Sequence, residues 1–386
     1  MTAPTEFDER DRMAMQRALE LAQRGLDTTD PNPRVGCVIL NDGRTVGEGW
    51  HERAGEEHAE VVALRAAGTS AQGGTAYVTL EPCSHQGRTP PCVDALVAAG
   101  VGRVVFAMLD PNPRVLGRGA ERLREAGIEV ACGLMAREAA ELNVGFVKRM
   151  ERGSPFVRLK LAMSLDGRTA LASGASRWIT GEAARADVQH WRARSSAILT
   201  GIGTVLADNP RLSVRAAGAE PRQPLRVVLD ALLRTPPQAR LFESPGVVVL
   251  FTSSHDRARR AVLEARGARV EHLADGGDGR LDLARMLARL AELEVNEVHV
   301  EAGATLAGSL VRSGLVDELL LYVAPILLGP QARALVELPP VAELAASPRY
   351  RIIESRQIET DLRLRLRPPT LGQPEDPSCS PASFRT

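Results

Sequence analysis

Short runs of β-branched and apolar residues recur along this chain, and each is followed by a stretch with helical periodicity. That alternation most constrains the fold. Strands joined through helices run parallel, and the helices then cover the faces of the sheet. In the first half the strands read as Val35–Leu40, a return strand ending near Trp50, Thr75–Leu80, RVVFAM and IEVAC. Asn41-Asp42-Gly43 is a hairpin turn, so the first pair is antiparallel. Helices are expected over 9–25, from Glu57 or His58 to Gly68, from about Cys92, over Arg118–Ala126 and over 136–150. A new unit starts at PFVRLKLAMSLDGRTA, with strands at 156–162, 197–200, 226–230, 247–251 and 297–301. Helices at 181–193, 256–266, 282–292 and 304–313 lie between them. Aromatic residues are only 3%, so the cores must rest on Ala, Val and Leu, which suits α/β layers.

At 386 residues the chain exceeds one compact domain. The boundary falls near Gly153-Ser154, giving domains over 1–152 and 153–367 and a tail, 368–386, without apolar periodicity and expected to be disordered. No internal repeat is visible. Lys plus Arg and Asp plus Glu both number 48, so there is no general attraction to nucleic acid or anionic membrane. No apolar run has bilayer-spanning length, and the acidic, polar N-terminus is unlike a secretion signal. A cytoplasmic location is expected. The five cysteines, Cys37, Cys83, Cys92, Cys132 and Cys379, do not make a disulfide framework; metal binding or burial fits better.

His58-Ala59-Glu60 is followed by Pro82-Cys83 and then Cys92. One imidazole and two thiolates make a tetrahedral zinc set with the fourth position open, as catalytic zinc requires. Glu60 is then the proton carrier, provided it reaches the reacting water. Residues two apart on a regular helix point away from each other, so His58 and Glu60 converge only at a helix entry. Cys92 also falls at a helix start, where the dipole favours thiolate. Singly, each of these residues reads as an ordinary surface or buried side chain. A structural zinc site would need a fourth ligand, for which His85 is the nearest candidate. The general deaminase signature, H-x-E with P-C-x-x-C, separates its cysteines by two residues. Here SHQGRTPP intervenes, a longer loop that bears on substrate identity.

HAE, TLEPCSHQGRTPPC and the downstream KLAMSLDGRTA together closely resemble the bifunctional deaminase–reductase family of riboflavin biosynthesis, RibD or RibG, over roughly residues 8–367. The resemblance implies a cytidine-deaminase-like α/β/α domain followed by a dihydrofolate-reductase-like α/β domain. It implies zinc-dependent deamination of 2,5-diamino-6-(5-phosphoribosylamino)pyrimidin-4(3H)-one, then reduction of the ribosyl group to ribityl by NADPH. His58, Cys83 and Cys92 match the zinc ligands, Glu60 the proton donor, and Asn32, His51 and His85 the deaminase pocket. Without it, Asn32 reads equally as a turn residue or a pocket residue, and His51 equally as a strand-end surface histidine or a pocket residue. Arg88, in the inserted loop, is a candidate for the substrate phosphate.

The second domain speaks less clearly by itself. Gly201-Ile202-Gly203 lacks the third glycine of a dinucleotide fingerprint, and there is no phosphate-binding P-loop. VEAGATLAGSL, Val300–Leu310, ends a strand and opens a helix whose backbone N–H groups suit a cofactor phosphate, though an ordinary tight turn reads the same way. The resemblance implies NADPH contacts at Ala162, Trp178, Thr204, Asp208 and Gly303, Ala304, Thr305, Leu306, Ala307, Gly308 and Ser309. It implies substrate contacts at Ser176, Arg192, Leu212, Arg215 and Glu301. Arg192 and Arg215 suit a phosphate clamp, and Lys160 would orient the ribosyl group. Ala231 stands where the family has a serine, so one side-chain contact to the cofactor is lost. Dimerisation through the C-terminal domain is expected on the same ground, with a small phosphorylated pyrimidine as partner. A nucleoside or tRNA deaminase with an unrelated C-terminal domain is the alternative, and a structural-zinc protein without turnover is the third reading.

Overall fold

The computed structural model describes residues 6–86, 90–113, 115–176, 178–215, 222–276 and 279–369. The chain divides into two compact units, the first ending at Gly153 and the second starting at Ser154.

The first unit runs α1 (Glu9–Gln23), β1 (Gly36–Asn41), β2 (Arg44–Trp50), α2 (Ala59–Ala67), β3 (Thr75–Val78), α3 (Cys92–Ala98), β4 (Arg103–Phe106), α4 (Arg118–Glu125), β5 (Glu129–Cys132), α5 (Ala136–Leu142) and α6 (Val144–Arg152). Its sheet has the order β2-β1-β3-β4-β5. The β1–β2 and β1–β3 pairs are antiparallel; β3, β4 and β5 run parallel. Helix α1 starts with a reciprocal cap between Asp8 and Asp11, and Asp11 also accepts from Tyr77 Oη and Arg103, tying the helix to the sheet. Glycines let two helices lie directly on strands. A Cβ at Gly36 would meet Ala18 O at 2.0 Å; one at Gly47 would meet Ala63 O at 2.2 Å, and one at Gly49 would meet Ala59 O at 2.5 Å. The last pair presses α2 onto β2 and fixes where α2 begins.

The helix expected over 136–150 is two helices broken at Asn143. Asn143 turns its amide to the Arg34 backbone, accepting from its N–H at 2.8 Å and donating to its carbonyl at 3.0 Å. That bond anchors the PNPRVG segment, and a side chain so engaged cannot serve a continuous helix surface.

The second unit contains β6 (Phe156–Ser164), β7 (Arg168–Ala170), α7 (Glu182–Arg194), β8 (Ala197–Gly201), α8 (Ile202–Asp208), β9 (Leu225–Leu229), β10 (Val248–Thr252), α9 (Arg257–Glu264), β11 (Ala268–His272), α10 (Leu283–Glu292), β12 (Glu297–Glu301), α11 (Ala304–Arg312), β13 (Glu318–Ala324), β14 (Arg333–Ala334), β15 (Arg351–Ile358) and β16 (Asp361–Arg367). A nine-stranded sheet has the order β11-β10-β9-β8-β12-β6-β13-β16-β15. It is parallel from β11 to β13 and ends in an antiparallel hairpin. Beyond the strands expected from sequence, it adds β11, β13 and that hairpin.

One face of the central strands is apolar: Val157, Leu159, Val298 and Val300 pack in the main core. The opposite face carries a buried charged row. Arg158 bonds Glu297 and Glu318, Arg194 bonds Glu297, and Arg365 and Arg367 bond Glu318. Helix α7 lies over this row, with Trp191 among the guanidiniums of Arg158, Arg194, Arg363 and Arg365.

Candidate active site

Helix α2 opens with His58 as its N-cap in extended backbone, and Glu60 lies in the first turn. This is the geometry that lets two residues so close in sequence face one centre. Cys92 is the first residue of α3, after Pro91 at the cap. Cys83 sits on the loop following β3. His58 Nδ1 lies 3.0 Å from Cys92 Sγ and 3.5 Å from Cys83 Sγ. The three ligand atoms all fall within 4.8 Å of one another, and no other group of this kind occurs among the described residues. Tetrahedral zinc, with Zn–S near 2.3 Å and Zn–N near 2.0 Å, requires about this spacing. His85 is exposed and outside the group, so a closed four-ligand site is not formed among the described residues.

The hydrogen bond with Cys92 and then that with His58 hold the Cys83 thiol well below its usual value, while the same bond and burial push Cys92 up. The Cys92 backbone N–H also points at Cys83 Sγ, 3.3 Å away. Glu60 is buried, and burial raises its carboxyl above the usual carboxylate range. Of the free cysteines among the described residues, Cys37 is buried on β1 and has its thiol raised by burial.

Beside this group His51 is buried, with Nδ1 3.0 Å from Glu57 O and Nε2 3.0 Å from Asn32 Nδ2. The carbonyl must receive a proton, so Nδ1 carries it and Nε2 accepts from the Asn32 amide. The His51 and His58 rings stand edge to face with centroids 5.4 Å apart. Asn32 and His51 therefore join the site; His85 stays on the exposed side of the loop. Arg88 lies outside the described residues.

Two buried acids went unnoticed in the sequence. Glu81 accepts from the backbone N–H groups of Asp110, Gly117, Gly119 and Ala120 at 2.9–3.2 Å, which pins the start of the Cys83 loop. Asp110 follows β4 near Cys83, and burial pushes its carboxyl up to about 7. Their signal was an acidic residue directly after an apolar strand, in TLEP and AMLDP.

In the second unit β8 and β12 are adjacent and parallel. Helices α8 and α11 start at their carboxyl ends with Gly201 and Gly303 as N-caps, neither start capped by a side chain. Such uncapped N–H groups at the carboxyl edge of a parallel sheet fit a cofactor phosphate. Thr204 and Asp208 lie on α8, and Ala162 on β6. Within Gly303–Ser309 the roles divide. Gly303, Ala304, Thr305 and Leu306 form the opening, whereas Ala307 belongs to the core. A Cβ at Gly308 would meet Glu337 O at 2.0 Å, so Gly308 seats the helix. Ser309 donates to Thr305 O inside the helix. Trp178 is 68% exposed under the Arg185 guanidinium, and Ser176 is exposed nearby.

Arg192 differs from the expected phosphate clamp. Its fork is spent on Glu301, at 2.6 and 2.9 Å, and its third donor reaches Ser213 O. Leu212, buried with φ +49°, turns the backbone that presents this carbonyl. Only Arg215 of the pair has an exposed side chain. Lys160 stands beside Glu301 in register, and burial lowers its ammonium below the usual lysine range. At Ala231 the carbonyl accepts from the Thr252 and Ser253 hydroxyls.

An α/β/α unit that gathers His58, Cys83, Cys92 and a buried Glu60 is a deaminase of the cytidine class. In agreement, the cytidine and deoxycytidylate deaminase zinc-binding region matches residues 8–108, and the RibD C-terminal domain matches 155–364. The chain belongs to the RibD family of riboflavin biosynthesis proteins, which join a zinc-binding deaminase to an NADPH-using reductase. It is 52% identical to riboflavin biosynthesis protein RibD of Escherichia coli (strain K12), covering 92% of this chain and 99% of that protein. Identity to the Haemophilus influenzae protein of the same name is 47%, over 94% and 99%. RibD of Acinetobacter baumannii superposes with a TM-score of 0.86 at 48% identity, over 93% of this chain and 99% of that one. A diaminohydroxyphosphoribosylaminopyrimidine deaminase/5-amino-6-(5-phosphoribosylamino)uracil reductase from Thermotoga maritima gives 0.82 at 32%, over the same shares, 93% and 99%. The full-length match leaves no room for an unrelated C-terminal domain. No helix among the described residues is long and apolar enough to cross a membrane.

Proposed function

We propose that the two units catalyse consecutive steps. Residues 1–152 deaminate 2,5-diamino-6-(5-phosphoribosylamino)pyrimidin-4(3H)-one hydrolytically, and residues 153–367 reduce the ribosyl side chain of the product to ribityl with NADPH. The observation that carries the first step is the convergence of His58 Nδ1 and two sulfurs at 3.0–3.5 Å beside a buried carboxyl.

His58, Cys83 and Cys92 are the residues to hold zinc, leaving one position open. Bound there, zinc lowers the pKa of water into the neutral range. Glu60 accepts one proton of the water attacking the amino-bearing ring carbon and passes it to the ring nitrogen. It then takes the second from the added hydroxyl and passes it to the amino group, which leaves as ammonia while the ring carbon keeps the oxygen as a carbonyl. A carboxyl raised by burial suits both directions of transfer. Asn32, its Nδ2 engaged by His51, keeps Oδ1 to accept from the pyrimidine's amino or ring N–H.

In the second unit the α11 N-terminus at Gly303 and the α8 residues Thr204 and Asp208 are positioned to hold NADPH, which supplies the hydride. Lys160 and Glu301 orient the ribosyl group, and Arg215 reaches its phosphate. Glu301 stays ionised: burial opposes the charge, but Arg192 overcomes it. We infer further that the protein works in the cytoplasm and pairs with a second copy through the C-terminal unit. The exposed edge strand β15, with Ile352 57% exposed, supports such pairing.

The test supplies the phosphorylated diaminopyrimidine and follows ammonia release and NADPH oxidation, with and without a chelator. Chelation is expected to stop ammonia release and to spare NADPH oxidation when the deaminated intermediate is supplied. Ammonia release that persists in zinc-free protein would overturn the deaminase mechanism.

A further inference from the structure

Strand β12 alternates, so Glu297, His299 and Glu301 share the face under α7 while Val298 and Val300 face the core. Two ion-pair groups lie on that face. Glu297 binds Arg158 and Arg194; Glu301 binds Arg192. His299 separates them. Its side chain is fully buried, and Nε2 is 3.3 Å from Glu301 Oε1. Neither ring nitrogen has a well-aligned hydrogen bond among the described residues. An imidazole in that state costs stability, and an aliphatic side chain would fill the space without the cost. On the same face Arg158 Nη2 also lacks a hydrogen bond, but its Nη1 and Nε are bonded to Glu297 and Glu318, whereas neither polar atom of the His299 ring is bonded among the described residues.

We propose that His299 is a positioning residue for the reductase, holding the Glu301 carboxylate so that it faces the ribosyl group beside Lys160. The inference rests on the reading of the second unit as the reductase. Arg192 grips both Glu301 oxygens from one side, and a side chain held from one side follows its partner. His299 closes the other side at Oε1. Burial, with the Arg192 and Arg158 charges, keeps the ring neutral, so Nε2–H is the donor and Nδ1 the bare acceptor. Hydrogen bonds at active sites are often poorly aligned before substrate arrives and tighten in the complex. A small shift of Glu301 toward a bound sugar completes this one.

The full-length chain with NADPH and the deaminated intermediate provides the test, alongside its own deaminase activity. His299→Leu is expected to lower the kcat of NADPH oxidation about tenfold, the scale of one hydrogen bond to a charged group. The KM for NADPH and ammonia release stay at wild-type values, and the melting temperature does not fall, since the leucine removes an unsatisfied buried imidazole. His299→Gln, whose amide reaches the same oxygen, restores kcat to within about threefold. Wild-type turnover in His299→Leu overturns the proposal. So does a loss that Gln fails to rescue and that tracks a fall in melting temperature, since His299 then serves packing alone. Wild-type protein that fails to oxidise NADPH with this intermediate refutes the reductase reading instead.

Discussion

A carboxyl group works as a proton carrier only where its environment brings its ionised and neutral forms close in free energy. Burial in the first turn of α2, with His58 at the cap, moves Glu60 toward that condition by raising its carboxyl above the usual carboxylate range. Amide nitrogen in place of one oxygen keeps the shape and removes the proton transfer. Glu60→Gln is therefore expected to retain one zinc per chain by metal analysis. Ammonia release falls by about 10²–10⁴-fold, the usual range for a general acid–base group. NADPH oxidation on supplied intermediate is unchanged. Full deaminase activity in this variant would exclude Glu60 from the chemistry. At this scale the sequence was most informative. A His and a Glu two apart cannot converge within a helix, so their pairing already implied a helix start. Arg192 shows the opposite case. A guanidinium suits a phosphate and a carboxylate equally, and only the fold reveals that its fork is turned to Glu301.

Elements place these groups, and glycine decides how closely they pack. Gly49 lets α2 rest on β2, where a methyl group would meet Ala59 O at 2.5 Å, one residue from His58. Gly49→Ala is expected to push the start of α2 outward, cutting ammonia release at least tenfold and stability by about 1–3 kcal/mol. NADPH oxidation remains as the internal control. Although β11 and β13 were missed, the other helix-covered strands were legible as β-branched runs, since a strand covered on both faces is mostly apolar. Strand β16 was not, because its Leu–Arg alternation reads as a solvent-facing surface. Its Arg363 is buried and its Arg365 half-buried because Asp187 and Glu318, distant in sequence, and Glu354, on the paired strand, meet them. The same row predicts an acid response. Burial opposes the Glu318 charge, but Arg158, Arg365 and Arg367 outweigh it and hold the carboxyl well below the usual range. A depressed folded pKa adds stability that is present above the unfolded value near 4.3 and is lost as pH falls toward the folded one. The second unit should thus lose melting temperature steeply below about pH 4. In Glu318→Gln that acid limb flattens, and stability at neutral pH falls by about 3–5 kcal/mol because Arg158 loses a partner. Parallel acid limbs for wild type and variant in calorimetry would rule out this role.

Two units with separate cores, each with its own implied ligand, behave as two stability problems within one chain. A ligand bound only by the folded form raises that form's stability by RT ln(1 + [L]/Kd), which is about 2.7 kcal/mol at a hundredfold excess over Kd. The donors for zinc, His58, Cys83 and Cys92, come from α2, α3 and the loop between β3 and α3, all in the first unit. The uncapped starts of α8 and α11 lie in the second. Removing zinc should lower only the transition belonging to the first unit, by several degrees. NADPH should raise only the second, in proportion to the logarithm of its concentration. Calorimetry of the full chain in the four combinations of chelator and NADPH distinguishes the outcomes. Independent shifts mean that each site draws its binding energy from one unit. A zinc-dependent shift in the NADPH-responsive transition would instead reveal a coupling free energy between deaminase and reductase, reciprocal by necessity. In that case the affinity for NADPH must change by the same factor when zinc is removed, which titration at equilibrium measures directly.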